Sequence, residues 1–236
     1  MFKYNAAKLF LAGFCIITLT TISFAQGADE TSNQAAGIND LQIQPIRLPS
    51  LAEVGGSPFM TSDYQMATIE IADKRLIKNI PVKFNIFNNA MMVLKDGQDM
   101  KLELFETVIY TITGNDGNPR QVTFRQGYPE IDNHNDKAVY QVLSMGPKLH
   151  LLKFMTQKIE DAATLGDYSR REIVTTNQLY IYTPGGEIKK INPNKKSLVE
   201  ALPAYSAKIE EVVKANGLNL KNESAITELV EALNKP

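Results

Sequence analysis

From Met66 to about Ile191, apolar side chains return at every second residue, and turn sequences interrupt them at strand-length intervals. This pattern constrains the fold more than any other feature, because a period of two sends alternate side chains to opposite faces of a strand. Val82, Phe84 and Ile86 share one face, with Lys83, Asn85 and Phe87 on the other. Val108, Tyr110 and Ile112 alternate with Thr107, Ile109 and Thr111, and Thr123 separates Val122 from Phe124. Leu149 and Leu151 flank His150, while Leu179 and Ile181 alternate with Tyr180 and Tyr182.

The turns say how these strands connect. Asp96-Gly97 is a two-residue hairpin signal, since a primed turn needs positive φ at both central positions. Residues 114–119 form a longer loop, Gly146-Pro147 a turn, and Pro184-Gly185-Gly186 another hairpin tip. Connections this short leave no room for crossover helices, so neighbouring strands run antiparallel. Residues 154–163 fit neither the helix nor the strand template and read mostly as loop or short turn.

After Pro193 the period changes. Ser197 is placed to cap a short helix reaching Leu202, and Pro203 stands near the start of a second. There Tyr205, Ile209, Val212 and Val213 form an i, i+4, i+7, i+8 stripe, and Asn216-Gly217 supplies a left-handed stop. Asn222 caps a third helix carrying Ile226, Leu229, Val230 and Leu233, with Leu218 and Leu220 placed to pack between the two. The expected fold class is α+β: an antiparallel β-rich body over 51–192, built as a curved sheet, sandwich or open barrel, followed by a small C-terminal helical segment over 193–236.

The N-terminal stretch predicts export. Lys3 and Lys8 precede an uncharged, mostly apolar run from Leu9 to Phe24, and Ser23-Phe24-Ala25 supplies the small residues of a cleavage site. That run is about 16 residues, short of the roughly 20 that span a bilayer, so no permanent membrane span is expected after cleavage. Cys15 raises a lipid-attachment alternative, against which a bulky Phe14 precedes it and further apolar residues follow. Residues 1–25 read as a signal peptide and 26–50 as a polar, flexible leader that becomes ordered near Leu41. The expected location is periplasmic or extracellular.

Cleavage removes two lysines and no acid, so Lys+Arg falls from 25 to 23 against 26 Asp+Glu, a formal net charge of −3. A weakly acidic chain has no broad positive field for nucleic acid or anionic lipid. The one cysteine leaves with the signal, which excludes a thiol nucleophile, a disulfide and a cysteine-ligated metal in the mature protein.

Four segments together resemble a family of small secreted proteins of unknown function from Bacteroidetes-type Gram-negative bacteria. They are Gly56-Ser57-Pro58-Phe59; Ile80-Pro81-Val82-Lys83-Phe84-Asn85-Ile86-Phe87; Tyr140-Gln141-Val142-Leu143 with Gly146 and Lys148-Leu149-His150-Leu151-Leu152-Lys153; and Lys195-Lys196-Ser197-Leu198. Lys83 stands where the family pattern has arginine, and Ala90-Met91 where an acid is commoner. The resemblance implies an envelope location and brings no catalytic residues.

Reading the residues for chemistry yields few candidates. Asp132, His134 and Asp136 alternate as in the start of a calcium loop, but Lys137 takes the glycine position and Leu143 that of the bidentate glutamate, so a solvated loop is expected. His150 reads as a hydrogen-bonded or surface strand histidine, because a zinc site needs three or four converging ligands. Ser57 reads as a turn former: Pro58 lacks the N–H that would complete an oxyanion hole. Residues 114–117 and Gly185-Gly186 lack the Lys-Ser/Thr partner of a phosphate loop, and Glu210-Glu211 belongs to a solvated helix face. No catalytic, cofactor or metal residues are assigned. Tyr180 and Tyr182, sharing one face, are the candidates for a ligand or partner surface.

These features predict a non-catalytic exported protein that binds or scaffolds a protein or envelope component. A carrier with an apolar cavity under the helices, holding a small apolar ligand or lipid, is the alternative, and an unrecognised hydrolase the third reading. Neither nucleic acid nor a cofactor is expected.

Overall fold

The computed structural model describes residues 37–48, 50–51, 53–114, 116–161 and 171–235. The expected signal peptide and the leader as far as residue 36 lie outside the described residues. The strands are β1 (Ile43–Pro45), β2 (Val54–Gly55), β3 (Gln65–Glu70), β4 (Leu76–Asn85), β5 (Ala90–Lys95), β6 (Gln98–Leu102), β7 (Thr107–Thr113), β8 (Pro119–Arg125), β9 (Tyr140–Met145), β10 (His150–Asp161), β11 (Arg171–Tyr182) and β12 (Ile188–Ile191). Helices α1 (Lys195–Ala201), α2 (Ser206–Asn216) and α3 (Glu223–Asn234) follow, with a 3₁₀ turn at Pro203–Tyr205 between the first two.

The strands make one open sheet in the order β1-β6-β5-β4-β3-β7-β8-β9-β10-β11-β12, with β2 added beside β11. Every pair along that path is antiparallel; β2 alone runs parallel to its neighbour. The α+β class with a β-rich body and a small helical tail is therefore what the chain adopts. The hairpins form where turn chemistry placed them. Asp96 and Gly97 have φ of 51° and 76°, the primed turn that pairs Lys95 with Gln98.

Alternation becomes burial. Ile69, Ile80, Val82, Phe84, Met91, Val93, Val108 and Phe124 are all at 0 % exposure in one core beneath β3–β8. Phe124 sits 4.6 Å from Phe84 and 5.7 Å from Tyr110, centroid to centroid. Each such side chain contributes about 1.5–3 kcal/mol of transfer free energy. Ile38 and Leu41 join this core, so residues 38–41 of the expected leader are held by their own apolar side chains.

At the other end the sheet is covered on both faces. Leu149, Leu151, Leu179 and Ile181 meet Leu198, Ile209, Val212, Ile226, Leu229, Val230 and Leu233 of the helices. The alternate residues Leu152, Phe154 and Tyr180 face the opposite way and pack with Tyr128, Ala138 and Tyr140. The helices thus dock on the face that Tyr180 and Tyr182 do not occupy.

Two local expectations change. Asn194, not Ser197, caps α1: its carboxamide oxygen accepts from Ser197 N–H at 2.8 Å, while Ser197 Oγ accepts from Asn192 N–H. Ser197 is the third helical residue, reaching back in the manner of a capping box. Residues 154–161, expected as loop, continue β10, and each pairs with a residue of β11 from Gln178 back to Arg171. Beyond Met155, which joins the β3–β8 core, the two-stranded part buries little, so its sequence carries no apolar alternation. Residues 162 and 163 lie outside the described set. Gly217 (φ 62°) ends α2 as expected, its N–H bonding Val213 C=O.

Candidate functional site

The two histidines and the candidate tyrosines meet in one aromatic cluster. Its base is β9–β12, whose alternate residues present Tyr140, His150, Leu152, Phe154, Tyr180 and Tyr182 on one face. Its cover is the connection between β8 and β9, residues 126–139, which brings Tyr128, Asp132 and His134. Asp132 and Asn133 have φ of 50° and 64°, and this tight turn bonds Ile131 and His134 to each other through N–H and C=O in both directions.

His134 stacks on Phe154 with centroids 3.7 Å apart, and its Nδ1 lies 3.2 Å from the Tyr140 hydroxyl. His150 Nδ1 lies 3.1 Å from the Tyr128 hydroxyl, edge-on to both Tyr128 and Tyr182. Tyr180 donates to Asp132 Oδ2 at 2.9 Å, and Lys190 Nζ reaches the same oxygen at 3.2 Å. Tyr180 is only 1 % exposed and Tyr182 half-buried. What covers Tyr180 is this chain's own segment.

Burial lowers the pKa of both histidines; the Arg125 charge adds to this at His150, while Asp132 partly opposes it at His134. Both imidazoles are thus neutral at neutral pH. Burial raises the Tyr140 phenol to about 12 and raises Tyr128 as well. Each imidazole is thus oriented by a phenol that stays protonated at neutral pH. Asp132 is held below the usual carboxylate range by its bond from Tyr180 and then by Lys190.

The alternating acids do not converge. Asp132 is committed to Tyr180 and Lys190, and Asp136 contributes its backbone C=O to Gly127 N–H. Among the described residues no three histidine or acid side chains gather as metal ligands would. Ser57 Oγ accepts from Phe59 N–H, as a turn residue does. A surface cleft of about 320 Å³ borders the cluster, lined by Asn88, Lys101, Asn133, His134, Lys137 and Phe154 among others.

A second feature was not legible in the sequence. β10 pairs with β9 only through Lys153, whereas its pairing with β11 runs unbroken to Asp161 and Arg171. Beyond Phe154 the two form a ribbon. Its even-numbered face, Thr156, Lys158, Glu160, Glu172, Val174 and Thr176, is exposed throughout. The other face is crossed by residues 54–59: β2 pairs with Arg171 and Glu172, Gln157 Nε2 donates to Ser57 C=O at 3.1 Å, and Phe59 bridges to Asn85 of β4. This strap ties the ribbon to the first half of the sheet. The β-branched, polar run at 173–178 was its one sequence signal.

No known family model, curated protein or solved structure matches the chain.

Proposed function

We propose that the chain is an exported, non-catalytic envelope protein that binds or scaffolds a protein or envelope partner through its β-rich body. The observation that carries this reading is the β10–β11 ribbon, which projects from a well-packed sheet with one face wholly exposed. Ordering two strands of residues has an entropic cost that little burial repays within this chain. A partner surface is the natural source of the missing burial. The helices pack directly on the buried Leu149, Leu151, Leu179 and Ile181, which favours this reading over a carrier with an apolar cavity beneath them. Both histidines bond tyrosine hydroxyls rather than a serine, which favours it over a hydrolase. Export rests on residues 1–25, and the family resemblance agrees with an envelope setting.

Site-specific photocrosslinking in the cell envelope tests this. A benzophenone side chain at Val174 or Thr176 should give a discrete adduct with a single polypeptide, and one at the exposed Gln98, beside a distant hairpin turn, should give none. Equal labelling from all three positions, or none from any, refutes the proposal.

A further inference from the structure

The direction of the backbone groups along β11 can be read from the hairpins that flank it. Thr183 N–H bonds Glu187 C=O across the β11–β12 turn, so residue 183 faces β12. Backbone groups of successive strand residues point to opposite sides. Ile181 and Leu179 therefore also face β12, and Asn177, Thr175 and Ile173 point to the same edge. The β9–β10 turn agrees: Leu149 C=O accepts from Gly146 N–H, so odd residues of β10 face β9 and even ones face β11. The register between β10 and β11 has no shift that would break the alternation.

That edge is filled at both ends. β12 covers it from Leu179 to Tyr182, and β2 covers Arg171 and Glu172. Gly56 then lies over Ile173, where an added Cβ would sit 3.3 Å from Ile173 Cβ and 3.6 Å from its carbonyl oxygen. Between these covers, Thr175 and Asn177 each turn an N–H and a C=O outward, and no hydrogen bond among the described residues uses them. Both residues are exposed.

Open edges are normally guarded by charged side chains, proline or a bulge, because an unguarded edge recruits another strand. Here Ile173, Val174, Thr175, Thr176, Asn177 and Gln178 include no charge, no proline and no bulge. The same edge already holds one extended segment of this chain, β2, by parallel strand addition. We infer that the β11 edge at Thr175 and Asn177 is an acceptor slot that takes a short, uncharged, extended segment of a partner polypeptide as an added strand. The inference rests on the partner-binding reading and names how the partner is held.

The flanks set the size of the occupant. From Gly56 to Ile191 the slot admits about four or five residues at roughly 3.3 Å each, after which the segment must leave the sheet plane. A second copy's β11 is excluded, since its remaining residues would run into β2 and β12. Affinity comes from main-chain bonds, so a generic peptide suffices as the probe.

The test is an NMR titration of the full mature chain with acetyl-Thr-Val-Thr-Val-Thr-amide, at about 5 mM to reach millimolar affinities. The amides of Thr175 and Asn177, fast-exchanging in the free protein, should shift and slow in exchange by about tenfold or more. Thr175→Pro removes the outward N–H and the Oγ1 that accepts from Gln157 Nε2, but no backbone bond to β10, so the ribbon should persist, with Val174 and Thr176 amides still protected while peptide binding is lost. Asn177→Pro is the second variant, should the first disturb the ribbon. Protection of Thr175 and Asn177 in the free protein equal to that of Thr176 overturns the inference, because the edge is then already filled. Absence of any shift at these amides overturns it equally. Crosslinks at Val174 without peptide binding would sink the slot and leave the partner reading standing; peptide binding with no crosslinked partner would do the reverse.

Discussion

Replacing Gly146 by alanine should dislodge the far end of α3, and the size of the effect follows from one side chain. Asn234, the last residue of α3, holds the β9–β10 turn: its Oδ1 accepts from Lys148 N–H at 3.2 Å and Leu149 N–H at 2.9 Å, and its Nδ2 donates to Leu149 C=O at 2.9 Å. A Cβ at Gly146 would lie 2.2 Å from Asn234 Cγ, so both cannot remain. Eviction of Asn234 loses three bonds of about 0.5–1.5 kcal/mol each and strands the N–H of buried Leu149, so about 2–4 kcal/mol is expected. Asn234→Ala should cost the same amount for the same reason. With Asn234 already alanine, the three atoms nearest the new Cβ are gone, and Gly146→Ala restricts the unfolded chain, so its own effect should fall to near zero or become stabilising by up to about 1 kcal/mol. Urea unfolding of the two single variants and the double variant measures the coupling, expected at about 2 kcal/mol or more below additivity. Additive effects within about 0.5 kcal/mol would refute the clamp.

Other substitutions separate backbone, core and charge. Gly97→Ala meets no atom within 4 Å, so its cost should be that of left-handed backbone alone, about 1–2 kcal/mol by urea unfolding; an unchanged midpoint would count against the primed turn. Phe124→Ala should lose about 3–5 kcal/mol and leave a cavity against Phe84 and Tyr110, readable as a lowered unfolding midpoint with m unchanged. Because burial lowers both histidine pKa values in the folded state, their contribution is complete above the unfolded pKa near 6.5 and declines as pH falls towards the folded pKa. Stability should therefore fall as pH drops below about 6.5, and His150→Gln should flatten the slope; identical slopes would contradict a buried neutral His150.

Much of the fold could be read in the residues wherever one face had to be buried. Val82, Phe84, Val108, Tyr110, Val122 and Phe124 alternate because each fills the same core, and the stripe Ile226, Leu229, Val230 and Leu233 repeats because α3 lies on Leu149 and Leu151. The ribbon escaped because Thr156, Lys158 and Glu160 face solvent and carry no burial signal. In the aromatic cluster, alternation put Tyr180 and Tyr182 on one face, but not what lies over them. Tyr180 meets Asp132 across 48 positions of chain, and residues 126–139 have no period of their own. Ser197 was mistaken for a cap because it and Asn194 are both capping types three residues apart, and only the backbone shows which one precedes the helix.

Native mass spectrometry of the mature chain released gently from the envelope bears most directly on whether this protein holds a polypeptide rather than enclosing a small molecule. The expected spectrum contains the bare chain and a complex heavier by one polypeptide. A chain carrying a stoichiometric lipid or small molecule, with no polypeptide attached, would contradict it.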